Sequence, residues 1–438
     1  MKRIIITACT AMVMAAAAHA QTYTLRKCLE TGLEKNYSLR ITRNEERISH
    51  NNATLANAGF LPTLDLNAGY DASFSSSDAK LRSTGETQKT SSSLDHTLNA
   101  GIGLNWTIFD GFNISTTYKQ LKEMERMGET STRIAIEDFT AGMAAEYYNF
   151  LRQKLRLRNY HYAMILSKER LRIVEERYNI GNFSRLDYQQ AKVDFNADSA
   201  QYMKQQEVVV TSRIALNEMM AIEQVYTPIE TEENDIAING TLDFTELWNN
   251  TLSRNANLLL ADQSNRLTRL DYKKVMSRNY PYVKLNAGYD LSYNRYDTNS
   301  YISRSNRGGN VGIAIGMNLW NGNRKREKRN AKIEIENSRL QRDQLELALK
   351  ADLGNLWQAY QNNLELLALE RQNVITAREN HDIAKERYML GDLSGFEMRE
   401  AQKSLLDAEE RLLSVEYDTK ICEISLMQIS GTIYRLLE

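Results

Sequence analysis

At 438 residues the chain could hold two or three ordinary domains, yet its only prolines are Pro62, Pro228 and Pro281, all at boundaries between patterned segments. Its 55 Lys and Arg nearly cancel its 56 Asp and Glu, and neither sign forms a block that would suggest a nucleic-acid face or an acidic tail. His50, His96, His161 and His381 lack partners at ligand spacing and no Walker-type loop is present, so no metal, cofactor or catalytic constellation is expected.

Lys2-Arg3 precedes an apolar run from Ile4 to Ala18, and Ala18-His19-Ala20 offers a small-x-small cleavage site before Gln21. Residues 1–20 therefore read as a secretory signal peptide. Ile6-Thr7-Ala8 is a poor lipobox for Cys9. The mature chain keeps Cys28 and Cys422, which read as two ordinary thiols although export permits a disulfide. No later apolar run is long enough for a membrane helix. A soluble periplasmic protein would look like this, and so would an outer-membrane protein, whose spanning strands are never continuously apolar.

Tyr23–Gly59 is helical in pattern, with Leu25, Leu29, Leu33, Leu39 and Ile48 near one face, and Pro62 stops it. The period then becomes two. Leu64, Leu66, Ala68, Tyr70, Ala72 and Phe74 alternate with polar residues and glycine; after a polar loop, Ser75–Asp95, the alternation returns at Leu98, Ala100, Ile102, Leu104, Trp106 and Ile108. These are two strands, each with an apolar and a polar face. From Asn113 to about Tyr178 the chain reads as one helix of roughly 100 Å at about 1.5 Å per residue. Gly181 suits the left-handed residue that ends it, and Ser184-x-x-Asp187 reads as the capping box of a return helix running to about Ala221.

Glu223–Thr241 is an acidic linker broken by Pro228. A helix over Phe244–Asn279 follows, then a strand from Val283 to Tyr293, a polar loop over Asn294–Asn310 and a fourth strand from Val311 to Leu319. A second long helix covers Asn323–Met389, with a seam at Leu345, Leu349, Leu353, Leu356, Tyr360, Leu364 and Leu367. Gly391 and Ser394 make a second tip, and the last helix runs to about Leu436.

The halves repeat one another. Pro62–Asp71 and Pro281–Asp290 share seven of ten residues, and Arg177-Tyr178-x-x-Gly181-x-x-Ser184 returns as Arg387-Tyr388-x-x-Gly391-x-x-Ser394. The expected division is a signal peptide over 1–20, a first repeat over 21–222, a linker over 223–242 and a second repeat over 243–438. The fold class is mainly α with a small β part, built on long antiparallel helical hairpins. Four strands are too few for a spanning barrel, which starts at about eight, and an open sheet edge cannot face lipid. Closure in a membrane therefore needs several chains sharing one barrel.

In this order and duplication, the signal peptide, Leu61-Pro62 leading into a strand that carries Gly69-Tyr70, the Phe109-Asp110-Gly111 corner and both tip motifs resemble the TolC-like family of outer-membrane efflux ducts. The resemblance covers essentially all of the mature chain. It implies a homotrimer whose protomers each give four strands to a shared twelve-stranded barrel, above a helical periplasmic tunnel. It also implies a passive exit duct for efflux or type I secretion, working with a periplasmic adaptor and an inner-membrane transporter. Outer-membrane lipid is then a partner and nucleic acid is not. The alternative is a soluble periplasmic coiled-coil adaptor or scaffold, although nothing resembles a lipoyl-like domain. The cargo is not legible.

The resemblance also assigns residues. Carboxylates at the positions of Glu397 and Glu400 ring the family's periplasmic entrance, where they favour cations. Tyr388 and Asp187 match two partners of its closing latch; Leu393 stands where the third, an arginine, would be, so Arg185 or Arg399 would have to substitute. Gly181, Asn182, Phe183 and Ser184, with Gly391, Asp392, Leu393 and Ser394, match the adaptor-docking tips. The residues alone allow plainer roles: helix capping for Asp187 and Glu397, a solvated face for Glu400 and turn chemistry for the tips.

Overall fold

The computed structural model describes residues 21–297 and 301–437; the expected signal peptide lies outside them. In chain order the elements are β1 (Gln21–Tyr23), α1 (Leu25–Lys35), α2 (Tyr37–Asn52), α3 (Leu55–Ala58), β2 (Thr63–Lys80), β3 (Thr87–Asp110), α4 (Asn113–Asn179) and α5 (Arg185–Met219). There follow β4 (Ile229–Thr231), α6 (Phe244–Arg254), α7 (Ala256–Ser277), β5 (Tyr282–Arg295), β6 (Ser303–Gly316), α8 (Arg324–Leu390), α9 (Gly395–Ile429) and a short 3-10 turn, Ile433–Leu437. Helices α4 and α8 are both 67 residues long, and α5 and α9 both 35. The chain falls into two compact units, one of Met1–Asn44, Thr130–Leu259 and Asp343–Glu438, the other of Glu45–Glu129 and Leu260–Arg342.

In the first unit, the periodic residues of α4 become core. Met143, Tyr147, Phe150 and Leu151 are buried against Leu29, Cys28, Leu216 and Met220. The Tyr147 hydroxyl donates to the Tyr23 carbonyl at 3.2 Å. That carbonyl lies at the end of β1, which pairs in parallel with β4. This two-strand clamp has too few residues to show alternation in the sequence. Leu353, Tyr360, Leu247 and Leu426 form a further core. Cys28 and Cys422 are free thiols, and burial pushes the Cys28 thiol up to about 12.

The two helices expected to be continuous before the strands are broken at Asn36 and Asn255, and the first again at Ala53-Thr54. The backbones of the two asparagines leave the helical region at φ −56°, ψ 127° and φ −60°, ψ 121°. Each side chain then bonds both to the start of the next helix and to the end of a distant one. Asn36 Oδ1 accepts from the Leu39 N–H at 3.2 Å while its Nδ2 donates to the Met219 carbonyl at 3.0 Å. Asn255 Oδ1 accepts from the Leu258 N–H at 3.1 Å and its Nδ2 donates to the Ile429 carbonyl at 2.9 Å. One asparagine thus starts a helix and satisfies an open carbonyl at the end of another.

The second unit holds one antiparallel sheet in the order β2-β3-β5-β6. Its register aligns like with like. Leu64, Leu104, Ala287 and Val311 make one cross-strand row, and Leu66, Ile102 and Tyr289 belong to the next. Trp106, Leu285 and Ile313 continue the same face, because side chains two apart point the same way. This face is bare: Leu66 is 77% exposed and Val311 79%.

The strands correct the sequence reading in three places. The polar segments expected as loops are mostly strand, since β2 runs to Lys80, β3 starts at Thr87 and β6 starts at Ser303. Ladder hydrogen bonds need no apolar side chains, so a Ser/Thr-rich ribbon continues without the alternation that marks a half-buried strand. The fourth strand stops at Gly316 and leaves Met317–Leu319 outside it. A bulge places Phe109, not Ile108, opposite Val283.

Candidate functional site

The two helical tips lie in the first unit and are built alike. Gly181 and Gly391 adopt φ +81° and +91°, left-handed values that an L side chain resists. The next N–H groups fold back: Asn182 donates to the Arg177 carbonyl at 2.9 Å and Asp392 to the Arg387 carbonyl at 2.9 Å. Each return helix starts with a complete capping box. Asp187 accepts from the Ser184 N–H at 3.1 Å and its own N–H donates to Ser184 Oγ at 3.1 Å. Glu397 accepts from the Ser394 N–H at 3.0 Å and its own N–H donates to Ser394 Oγ at 3.2 Å. The Ser394 hydroxyl and N–H hold the Glu397 carboxyl below the usual range.

Glu400 stands one turn beyond the cap. It is exposed and borders, with Glu397, Arg387 and Phe396, a hollow of about 300 Å³. Among the described residues Glu400 has no hydrogen-bond or ion-pair partner. The geometry thus brings the two glutamates onto one face of α9, one already engaged and the other open to solvent.

Tyr388 is not at the surface. It is 2% exposed, packed with Val174, Ala191, Ala384, Met398 and Ala401. The Arg177 guanidinium lies over its ring at 5.8 Å, and also over the Phe183 ring at 5.4 Å. Among the described residues its hydroxyl has no hydrogen-bond partner, and burial raises its pKa. Tyr388 and Asp187 line the same cavity of about 380 Å³, but the Asp187 carboxylate is spent on Ser184.

Arg399 meets a different carboxylate. It forms a bidentate pair with Asp198 of α5 at 2.6 and 2.8 Å. Asp198 also accepts from Ser167 Oγ of α4. Gln402 closes the network, donating to Ser167 Oγ at 3.2 Å and to the Ala163 carbonyl at 3.0 Å. Beside it Arg170 of α4 pairs with Asp194 of α5 at 2.5 Å. Asp198 is 4% exposed and Arg170 6%, so each has its opposite charge beside it in place of most of its water. The sequence reading missed this network, because Ser167, Asp198 and Gln402 form no pattern along the chain. It also missed the apolar tip residues Ile180, Leu186, Leu390 and Phe396, which are 71–79% exposed; large apolar residues beside a turn glycine were the available signal.

The family model described as outer membrane efflux protein matches residues 29–221 and 247–432. Three solved structures share the fold. A membrane protein from Pseudomonas aeruginosa is 14% identical with a TM-score of 0.76, covering 94% of this chain and 91% of that one. The outer membrane protein VceC from Vibrio cholerae is 17% identical with a TM-score of 0.73, covering 93% and 96%. The Campylobacter jejuni CmeC outer membrane channel is 15% identical with a TM-score of 0.74, covering 93% and 85%. A comparison with curated proteins finds no matching sequence.

Proposed function

Because this chain belongs to the outer membrane efflux protein family and so to the Gram-negative outer membrane, we propose that it is the trimeric exit duct of an efflux or type I secretion assembly. The observation that carries this reading is the sheet. It has four strands and two unpaired edges, β2 and β6, and its apolar face is exposed. In water such a face and such edges invite aggregation; in lipid the face is solvated, but each edge must find a partner. Three copies joined edge to edge would satisfy both demands. No helix of the described residues is long and apolar enough to cross a membrane; in this proposal the strands span it, on the strength of their exposed apolar face. Helices α4, α5, α8 and α9 then line the periplasmic tunnel. An adaptor docks on Gly181–Ser184 and Gly391–Ser394 and couples the duct to an inner-membrane transporter, while Glu397 and Glu400 converge at the entrance.

The soluble-scaffold alternative gives no account of the bare apolar face. Native mass spectrometry from detergent tests the duct: a trimer is expected, and a spectrum containing only monomers overturns it.

A further inference from the structure

The second unit carries a groove of about 350 Å³ between α4 and α7, lined by Lys119, Lys122, Arg126, Arg266, Arg269 and Lys273. Its single lining carboxylate, Glu123, is 5% exposed and already holds Arg266 at 2.7 Å and Arg126 at 3.4 Å. Lys122 is paired with Glu125 at 2.7 Å. Among the described residues, Lys119, Arg269 and Lys273 have no carboxylate partner. The groove therefore keeps a strong positive excess in a concave site, where charges of one sign reinforce one another.

Its position selects the anion. Lys119 lies six residues into α4, roughly 9 Å from the helix start at about 1.5 Å per residue, and α4 follows directly from β3. Tyr118 lines the groove and packs edge-on against Phe60, with ring centroids 6.2 Å apart. The Phe60 carbonyl accepts the Trp106 indole N–H at 2.9 Å. Trp106 shares its face with Leu104 and Ile102, so this aromatic chain links the groove to the apolar face of the sheet. Trp106 near the end of β3, then Tyr118 and the cations near the start of α4, is the order met in passing from hydrocarbon to headgroups. A second observation points the same way. Residues 324–332, which open α8 just after β6, hold six cations and one acid, Glu327. Cations at a helix N-terminus oppose the macrodipole, so this run slightly weakens the local helix and would be favoured by a nearby anion.

We infer that the groove binds the phosphate of an anionic phospholipid headgroup in the periplasmic leaflet. The inference rests on the sheet being the membrane-embedded part. Lys119, Arg269 and Lys273 supply the free charge, Arg126 and Arg266 shape the floor through Glu123, and Tyr118 and Leu270 flank the glycerol end.

The test uses the full-length protein purified in detergent, titrated with dioleoylphosphatidylglycerol or dioleoylphosphatidylcholine and read by native mass spectrometry. Phosphatidylglycerol should bind in preference, more weakly as salt rises. The variant K119Q/R269Q/K273Q leaves the Glu123 pairs intact and should keep the wild-type oligomeric state. It should lose about tenfold or more in phosphatidylglycerol affinity and nothing for phosphatidylcholine. Equal phosphatidylglycerol binding by variant and wild type overturns the inference. If inorganic phosphate alone binds as tightly as the lipid, the site takes a free anion and the lipid assignment falls. If the variant alters pore ion selectivity with lipid binding unchanged, the cations face the lumen and the assignment falls again. A monomer-only spectrum overturns the duct, whereas a trimer without lipid preference overturns this inference alone.

Discussion

At the tips Tyr388 is buried in the helical core and Arg399 is paired with Asp198. The tyrosine hydroxyl is buried without a partner among the described residues, and an unmade hydrogen bond costs about 1–3 kcal/mol. Tyr388→Phe should therefore leave thermal stability unchanged or raise it, with closed-state conductance unaltered in single-channel recording. Arg399 instead ties α9 to α5 through Asp198. Arg399→Ala leaves a buried carboxylate unpaired, and should lower the thermal midpoint and raise resting conductance; the double variant with Asp198→Asn should recover stability but not closure. At the entrance, Glu400→Ala should weaken block by a trivalent cation added from the periplasmic side, because Glu400 has no capping duty. An unchanged block would make Glu400 a solvated surface residue. Glu397 differs, since Ser394 lowers its pKa. Its contribution to stability is present above the ordinary Glu value of 4.5 and disappears as pH falls through its lower folded value. Thermal midpoints of wild type and Glu397→Gln should thus converge in acid.

Among the elements, the broken helices carry the sharpest expectations. Asn36 and Asn255 each combine a helix start with a bond to the end of a return helix. Asn36→Ala or Asn255→Ala should each cost about 1–2 kcal/mol, more than an isolated surface cap. A thermal melt of each detergent-purified variant checks this. Gly32 is constrained by space instead. A Cβ there would lie 2.5 Å from Phe139 Cζ and 2.8 Å from Met143 Cε. Gly32→Ala must displace two core side chains of α4 and should destabilise by about 1–3 kcal/mol, although alanine is the better helix former.

For the whole molecule the expectation is orientation. The connections at the far end of the sheet, Leu81–Glu86 and the segment after Arg295, should face outside the cell, and the tips at Asn182 and Asp392 the periplasm. A tag inserted at Thr84 should be labelled on intact cells and one at Asn182 should not; the reverse pattern would invert the topology.

The order of elements, the long helices and the two tips were legible in the sequence because each rests on short-range chemistry. Proline and glycine end helices, Ser-x-x-acid starts them, and a period of two or three to four residues declares which face is apolar. Both capping boxes stand where Ser184 and Ser394 placed them. The strand ends were not legible, because Ser75 to Lys80 and Ser303 to Asn310 are held by ladder hydrogen bonds to a neighbour, and side chains do not encode those. Nor were the breaks at Asn36 and Asn255, whose reason lies 183 and 174 residues away along the chain, at Met219 and Ile429. The sequence showed neither that Tyr388, matched to the family's latch tyrosine, is buried nor that Arg399, a possible stand-in for the missing arginine, pairs with Asp198. Burial and the nearest opposite charge depend on which helices pass beside each residue, and only the tertiary structure decides that.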